Sequence, residues 1–508
     1  MTAPGAQVAA PTAPAATAAP VTPAPTAAPA GTDAGTESSA EGTDAPDGTD
    51  APASTDAPAG SEGAAATDAA SATDAASETT SAPPPTGPTF GDLPWPCGPA
   101  DAANTDDGSE PGVTADQILL GYGDDAGFSV VPGLNHEASD GIEAMVAACN
   151  ELGGINGRQI VANYYDSKLT EVTAAMLRAC SDQVFFLVGT AWAFDEQQEE
   201  IRQSCSLPAV PTYSVSGAFA QAPMMYQATP NPADEQNTDG LAIMAELFPD
   251  EVQSAGVLAI NIGAVTFTRD KILSVADDAG WTFISTDITT NPMGENDWTP
   301  FADQLETAGA RILFFGGQCE PMLRLFAQTA ALNGYEPILF GMANLYEPRC
   351  AAENADGTLD NLYVQSDFVP MFEADSNKAT QDFLDAIEAT DGDVSLLGLQ
   401  AASGFLLWAT AADACGTTLT RQCVLDNLAA THEWTGGGLH SASDPGGNHP
   451  PACTAIFKVE GTEYVRVHPE EPATFDCGDG DELIPTELPD LEALLLDENR
   501  VSHLYSND

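Results

Sequence analysis

The chain has 508 residues, room for about three average domains, and carries 76 acidic against 14 basic residues for a formal net charge of −62. Such a charge excludes a nucleic-acid interface, or a polybasic attraction to anionic lipid, as the main task, because both need clustered Lys and Arg. Only four lysines occur, Lys168, Lys271, Lys378 and Lys458, and no run of 18 apolar residues exists that would form a membrane-spanning helix.

Residues 1–89 contain no Leu, Ile, Phe, Tyr or Trp and hold 11 acidic residues without a basic one. A segment without large apolar side chains cannot offset its ordering entropy, so this stretch reads as a disordered tether. Imperfect repeats at Thr43–Pro46, Thr49–Pro52 and Thr55–Pro58 suit a spacer, which as a flexible coil of about 90 residues spans roughly 50 Å. Met1–Ala30 lacks the charged start and apolar core of a secretory leader. Export would then need a signal upstream of this start.

The folded part is expected from Phe90. Gln117–Tyr122 reads as a strand, followed by a Gly- and Asp-rich loop in which Asp124 and Asp125 are expected to be solvated, with capping of the following helix or binding of a cationic ligand as the alternatives. Ala138–Leu152 is helical in spacing, with Ile142, Met145, Val146 and Cys149 on one face. Gly153-Gly154 ends that helix, and Asn156-Gly157 turns the chain into the strand Gln159–Tyr165. A helix over Val172–Ser181, the apolar strand Val184–Val188, a helix over Gln197–Ser204 and the strand Ala209–Thr212 follow.

The pattern then restarts. Helices are expected at Asp239–Phe248, Thr268–Ala279, Trp298–Thr307 and Met322–Leu332. They alternate with strands at Ala255–Asn261, Thr282–Asp287, Arg311–Phe315 and Pro337–Phe340. Leu362–Ser366 and helices near Asn377–Ala389 and Leu396–Ala414 complete the series. Strands and helices alternating at this pace indicate parallel sheets with helices on both faces. Two such α/β lobes present loops at the carboxyl ends of their strands, where open sheets bind ligands, and a cleft between them can close by hinge motion.

Ten cysteines occur, all after residue 96 and none in a CxxC pair, so disulfides and an exported protein are favoured over zinc. Ten cysteines permit 945 pairings, and sequence alone does not choose among them. The simplest is sequential: 97–149, 180–205, 319–350, 415–423 and 453–477. Catalytic constellations are sparse. His440, Asp444 and His449 in a Gly/Pro loop are a minor candidate for a metal-dependent hydrolase, with a solvated loop as the plainer reading. No phosphate loop and no Gly-x-Ser-x-Gly elbow occurs. Neither an enzyme activity nor a cofactor is expected.

Gly121–Tyr122 with its Gly-rich loop, and the run Gly141–Gly157, resemble the opening of type I periplasmic binding proteins. Within that fold they are similar to the leucine/isoleucine/valine-binding branch of ABC-transporter substrate-binding proteins. Tyr165-Asp166-Ser167, Val188-Gly189, Leu207–Pro211, Phe314–Gly317, Gly341, Thr435–Leu439 and the hairpin Ala452–Val467 follow the same order. The resemblance covers roughly 115–470.

It implies an α/β fold of two lobes with a ligand cleft between them. Residues 90–114 would be a disulfide-linked lead-in. Segments 115–233 with 363–425 would form one lobe, 234–362 with 426–478 the other, and 479–508 an acidic tail. It further implies a monomeric extracytoplasmic protein, membrane-tethered through an N-terminal segment upstream of this start, that captures a small solute for an ABC permease. The alternative is an envelope sensor reporting to a signalling partner.

In amino-acid-binding members, a Ser in the loop after the Val-Gly strand end and a Ser/Thr after the next strand hold the ligand's carboxylate and amine. Here the first position falls at Ala193, within Thr190, Ala191, Trp192, Ala193 and Phe194, and the second falls near Tyr213 and Ser214. Tyr122 and Phe128 are expected to line the cleft from the first loop, and Phe267, Gln318 and Asn344 from the other lobe. The acidic residue that receives a ligand ammonium falls at Ala343 and is missing. Without it an α-amino acid would bury an unpaired ammonium, so the aromatic positions favour an apolar or aromatic solute, amino-acid-like or an amide.

Overall fold

Two short strands, β1 (Thr89–Phe90) and β2 (Leu93–Pro94), pair as an antiparallel ribbon ahead of the main body. Residues 87–100, 102–105, 108–478, 483–488 and 491 are described by a computed structural model, all within a unit spanning 81–508. The expected disordered tether and most of the acidic tail lie outside the described residues.

The first lobe is built on β3 (Gln117–Gly123), β4 (Gln159–Tyr164), β5 (Phe186–Thr190) and β6 (Ala209–Val210). They form a parallel sheet in the order β4-β3-β5-β6. Helices α1 (His136–Leu152), α2 (Val172–Asp182), α3 (Glu199–Ser204) and α4 (Gly217–Ala220) connect and follow these strands. Every residue of β5 is buried, as an apolar strand covered on both faces must be. Gly189 near its end has φ 80°, and a Cβ there would stand 2.2 Å from Ile142. The strand therefore reaches the loop at 190–195 only because this residue is glycine.

After β7 (Glu235–Asn237) and α5 (Asp239–Leu247) comes the second lobe. Its sheet contains β8 (Ala255–Ile260), β9 (Phe283–Thr290), β10 (Ile312–Gly316), β11 (Ile338–Gly341), β12 (Leu362–Ser366), β13 (Ala455–Glu460) and β14 (Glu463–His468). The order is β14-β13-β12-β11-β10-β8-β9; β13 is antiparallel to both of its neighbours, β12 and β14, and the other pairs are parallel. Helices α6 (Gly263–Val275), α7 (Thr299–Ala308), α8 (Arg324–Leu332) and α9 (Pro348–Ala352) belong here.

The chain then returns to the first lobe as α10 (Lys378–Thr390), α11 (Leu396–Asp413) and α12 (Arg421–Ala429), with α10 and α11 packed on α1. Helix α11 buries 14 of its 18 residues, so it is a core helix apolar on all sides rather than an amphipathic one. The strand Leu362–Ser366 bonds in register to β11 and β13. The return expected at residue 363 therefore begins only after Ser366. Helix α6 starts at Gly263, five residues before the expected Thr268; Ile262 at its N-cap offers no side-chain acceptor, so the sequence carries no start signal. Helix α12 was not expected; Thr420 caps it by accepting from the Cys423 amide at 3.2 Å.

Three crossovers join the lobes, after β6, after β12 and ahead of β13. They are laced together: Val369 N–H donates to the Leu439 carbonyl and Ser441 N–H to that of Asp367, each at 2.9 Å. Asn237 Nδ2 donates to the Pro451 carbonyl at 2.6 Å. The start of the tail packs on the first crossover, where β15 (Leu483–Pro485) pairs with β7. The five disulfides are the sequential set, Cys97–Cys149, Cys180–Cys205, Cys319–Cys350, Cys415–Cys423 and Cys453–Cys477.

Candidate functional site

Two of the crossovers leave the carboxyl ends of β6 and β12. In the first lobe Ser214, beyond β6, accepts at its carbonyl from Asn231 Nδ2 at 3.0 Å. Asn231 Oδ1 in turn accepts from Lys271 Nζ at 2.9 Å, and Pro232 O accepts from the same ammonium at 2.5 Å. Lys271 lies on α6, the helix that leaves the end of β8. The chain beyond β6 and helix α6 of the second lobe are thus both tied to Asn231 and Pro232 on the first crossover. Burial lowers the Lys271 ammonium to about 7, although Asp234 and Glu235 oppose the shift.

The first-lobe wall is built around two carboxylates. Asp125 is wholly buried. Its oxygens accept from the Ala193 amide at 2.8 Å, the Leu169 amide at 3.1 Å, Asn135 Nδ2 at 3.1 Å and the Ser167 hydroxyl. Burial raises its pKa and these donors counter the rise. Asn135, left-handed at φ 62°, also donates to the Tyr213 hydroxyl at 3.0 Å. Asp195 in the next loop accepts at Oδ2 from the amides of Val215 (2.7 Å) and Ser216 (3.3 Å). Its Oδ1 has no hydrogen-bond partner, and burial pushes this carboxyl up to about 7.

The adjoining Asp124 is also wholly buried. It accepts from Ala126 N (2.8 Å), Ser139 Oγ (2.5 Å) and the Tyr164 hydroxyl (2.5 Å), with His136 Nδ1 at 2.8 Å. The expectation that Asp124 and Asp125 are solvated is therefore overturned. Nothing short of the tertiary fold could reveal this, since all donors but the Ala126 amide come from residues 135–193.

On the second lobe, β10 ends at Gly316, and the chain passes Gly317 to Gln318 and the disulfide of Cys319 with Cys350. Asn344 Nδ2 donates to the Gly317 carbonyl at 2.6 Å. The loops carrying Gln318 and Asn344 are therefore tied twice, by a covalent link and by a hydrogen bond.

The expected site residues separate into two groups. Ala193, Phe194 and Tyr213 are partly exposed on the first-lobe wall, and Gln318 and Asn344 sit on the second-lobe edge. Thr190 is in the same wall but buried, its hydroxyl without a partner. Trp192 does not face a cleft: it is 1% exposed, packs in the first-lobe core and donates its indole N–H to the Tyr165 carbonyl at 3.2 Å. Ser214 turns inward to Gln227 Oε1 at 2.9 Å. Tyr122 is buried with its hydroxyl on Glu143 at 2.5 Å.

Phe128 is half-buried in the loop before α1. Phe267 lies inside α6 rather than at its start, its ring 6.0 Å from the Lys271 ammonium. The three metal candidates turn to different partners. His440 is buried against Ser403 (2.8 Å) and the Ser441 carbonyl (2.7 Å), Asp444 meets His432 at 2.6 Å, and His449 meets Glu235 at 2.8 Å. Among the described residues no three His, Cys, Asp or Glu side chains converge on a metal position.

The architecture is shared with solved solute-binding proteins. A fatty acid ABC transporter substrate-binding protein from Thermomonospora curvata is 16% identical with a TM-score of 0.59, over 72% of this chain and 94% of that one. A leucine-, isoleucine-, valine-, threonine- and alanine-binding protein from Brucella ovis, in a closed conformation, is 15% identical with a TM-score of 0.58, over 70% and 94%. A leucine-binding protein from Thermotoga maritima is 14% identical with a TM-score of 0.56, over 69% and 97%. A search of curated proteins by sequence returned no match. The family model described as periplasmic binding protein matches residues 133–463, well over half of the sequence. Together with two parallel-sheet lobes joined by three crossovers, that match makes the chain a member of the periplasmic binding protein family, with a solute-binding role.

Proposed function

We propose that this protein captures a small extracytoplasmic solute between its lobes and presents it to an ABC permease in the membrane. One observation carries the reading: two parallel-sheet lobes of the kind seen in solved solute-binding proteins are joined by three crossovers that are laced to one another by hydrogen bonds. Closure requires that the solute touch both lobes, since a ligand equally at home in open and closed forms shifts nothing. Proteins of this fold are named for amino acids and for a fatty acid, so the wall residues select the solute. With Ala at 193 and 343, and Phe194 and Tyr213 at hand, we assign an apolar or aromatic body. The protein acts as a monomer held at the membrane, without chemistry of its own.

The test is a thermal-shift screen of the full chain against amino acids, amides, aromatic amines and acids, and short peptides. A solute at 100 times its Kd should stabilise by about 2.7 kcal/mol, and Tyr213→Ala should weaken it at least ten-fold. Absence of any stabilising solute across the library would overturn the proposal.

A further inference from the structure

The chain beyond β14 returns to the crossovers at two places. At the first, the amides of Thr454 and Asp476 each donate to the other's carbonyl at 2.8 Å, beside the Cys453–Cys477 disulfide. Thr454 closes the third crossover, and its hydroxyl donates at 3.2 Å to the carbonyl of Ser366, where the second crossover begins. At the other, β15 lies antiparallel on β7, with Leu483, Ile484 and Pro485 opposite Asn237, Gln236 and Glu235. Thr486, 4% exposed, extends this pairing. Its amide donates to the Asp234 carbonyl at 2.9 Å, and its hydroxyl donates to the Ala233 carbonyl at 2.5 Å. Ile484 packs on the second-lobe core cluster that holds Leu241, Trp281 and Phe340.

The start of the tail is therefore bonded to the first and third crossovers, and through Thr454 to the start of the second. Its apolar anchor is on the second lobe. Lys271 of α6 holds Asn231 and Pro232 from the same lobe, so residues 231–237 are fastened to second-lobe groups along their length. Hinge motion needs changes of φ and ψ in the few residues that link two lobes. Main-chain groups bonded into a ladder cannot make those changes without giving up their partners. The second-lobe sheet already ends with β14 at His468, so the tail completes no sheet of that lobe.

We infer that the start of the C-terminal tail, at 476–478 and 483–486, is a strap across the hinge, which holds the first crossover to the second lobe and resists the bending by which the lobes open and close. This rests on the solute-binding reading, in which the lobes close, and adds a control on how readily they do so.

The experiment is amide hydrogen exchange, read by mass spectrometry, on the full-length protein and on Thr486→Pro, both without solute. The substitution removes the amide and the hydroxyl that bond to 233 and 234 and leaves the Cys453–Cys477 disulfide in place. Exchange should speed about ten-fold over 233–238. It should also speed about three-fold or more at Val369 and Ser441, whose amides lace the second and third crossovers. The buried strand β5 should exchange as before, showing that the first lobe is intact. If the variant fails to fold, deletion of residues 483–508 gives the same comparison. Faster exchange confined to 233–238, or no change anywhere, would overturn the strap. So would an equal rise in β5, which would be a general loss of stability rather than release of a hinge. None of these results touches solute capture, which the solute screen decides separately.

Discussion

Asp195 shows how one buried side chain sets a measurable pH response. Burial holds its carboxyl near 7, far above the roughly 4 of an unfolded chain. Between those values the folded state keeps a proton that the unfolded chain has lost, so this contribution to stability is full at low pH and is lost as the pH rises through 7. Asp195→Asn should flatten that decline. Urea midpoints at pH 5 and pH 8 will check it, and an unchanged difference between them would refute the assignment. Arg202 is fully buried, with Glu199 at 2.6 and 2.9 Å and the carbonyls of Leu207 and Pro223 at 2.9 and 2.6 Å. Arg202→Ala strands a buried carboxylate and should cost about 3–5 kcal/mol in urea unfolding; a loss under ~1 kcal/mol would show that the site relaxes.

At the scale of elements, α1 and α11 approach closely because small residues face each other. A Cβ on Gly141 would stand 2.7 Å from the Gly398 carbonyl oxygen and 3.2 Å from the Ala401 methyl. Because the obstacle is backbone, the helices must separate, and Gly141→Ala should destabilise by about 1–3 kcal/mol as read by thermal unfolding. An unchanged Tm would mean that the interface is looser than its geometry. Elements with strong periodic patterns were legible in advance: α1, β5, α7 and α11 fall within a few residues of their expected spans. Those that start without an apolar stripe or cap were not. Helix α6 opens after the uncapped Ile262, and the π-helical turn Cys319–Leu323 delays α8 to Arg324.

Over the whole molecule, a net charge of −62 repels itself through solvent. The Debye length shrinks from about 10 Å at 0.1 M salt to about 3 Å at 1 M, so sodium chloride should raise the Tm of the full chain over that range. A flat or falling Tm would show that specific contacts, not net repulsion, dominate. The five disulfides act at the same scale. Cys97–Cys149 fastens the lead-in to the end of α1, and Cys319–Cys350 joins two loops at the second-lobe edge.

Read alone, the sequence determined the alternation of strands and helices, the two α/β lobes and the family resemblance. Each rests on local periodicity, turn residues or order along the chain. The tertiary structure alone decided which candidates are buried and which are left accessible. Trp192 and Ser214 turned inward, and Asp124 and Asp125 became buried carboxylates satisfied by residues brought from elsewhere in the first lobe. The side of a strand end on which a loop residue falls, and the donors it finds there, depend on groups distant in sequence, and no local pattern encodes them.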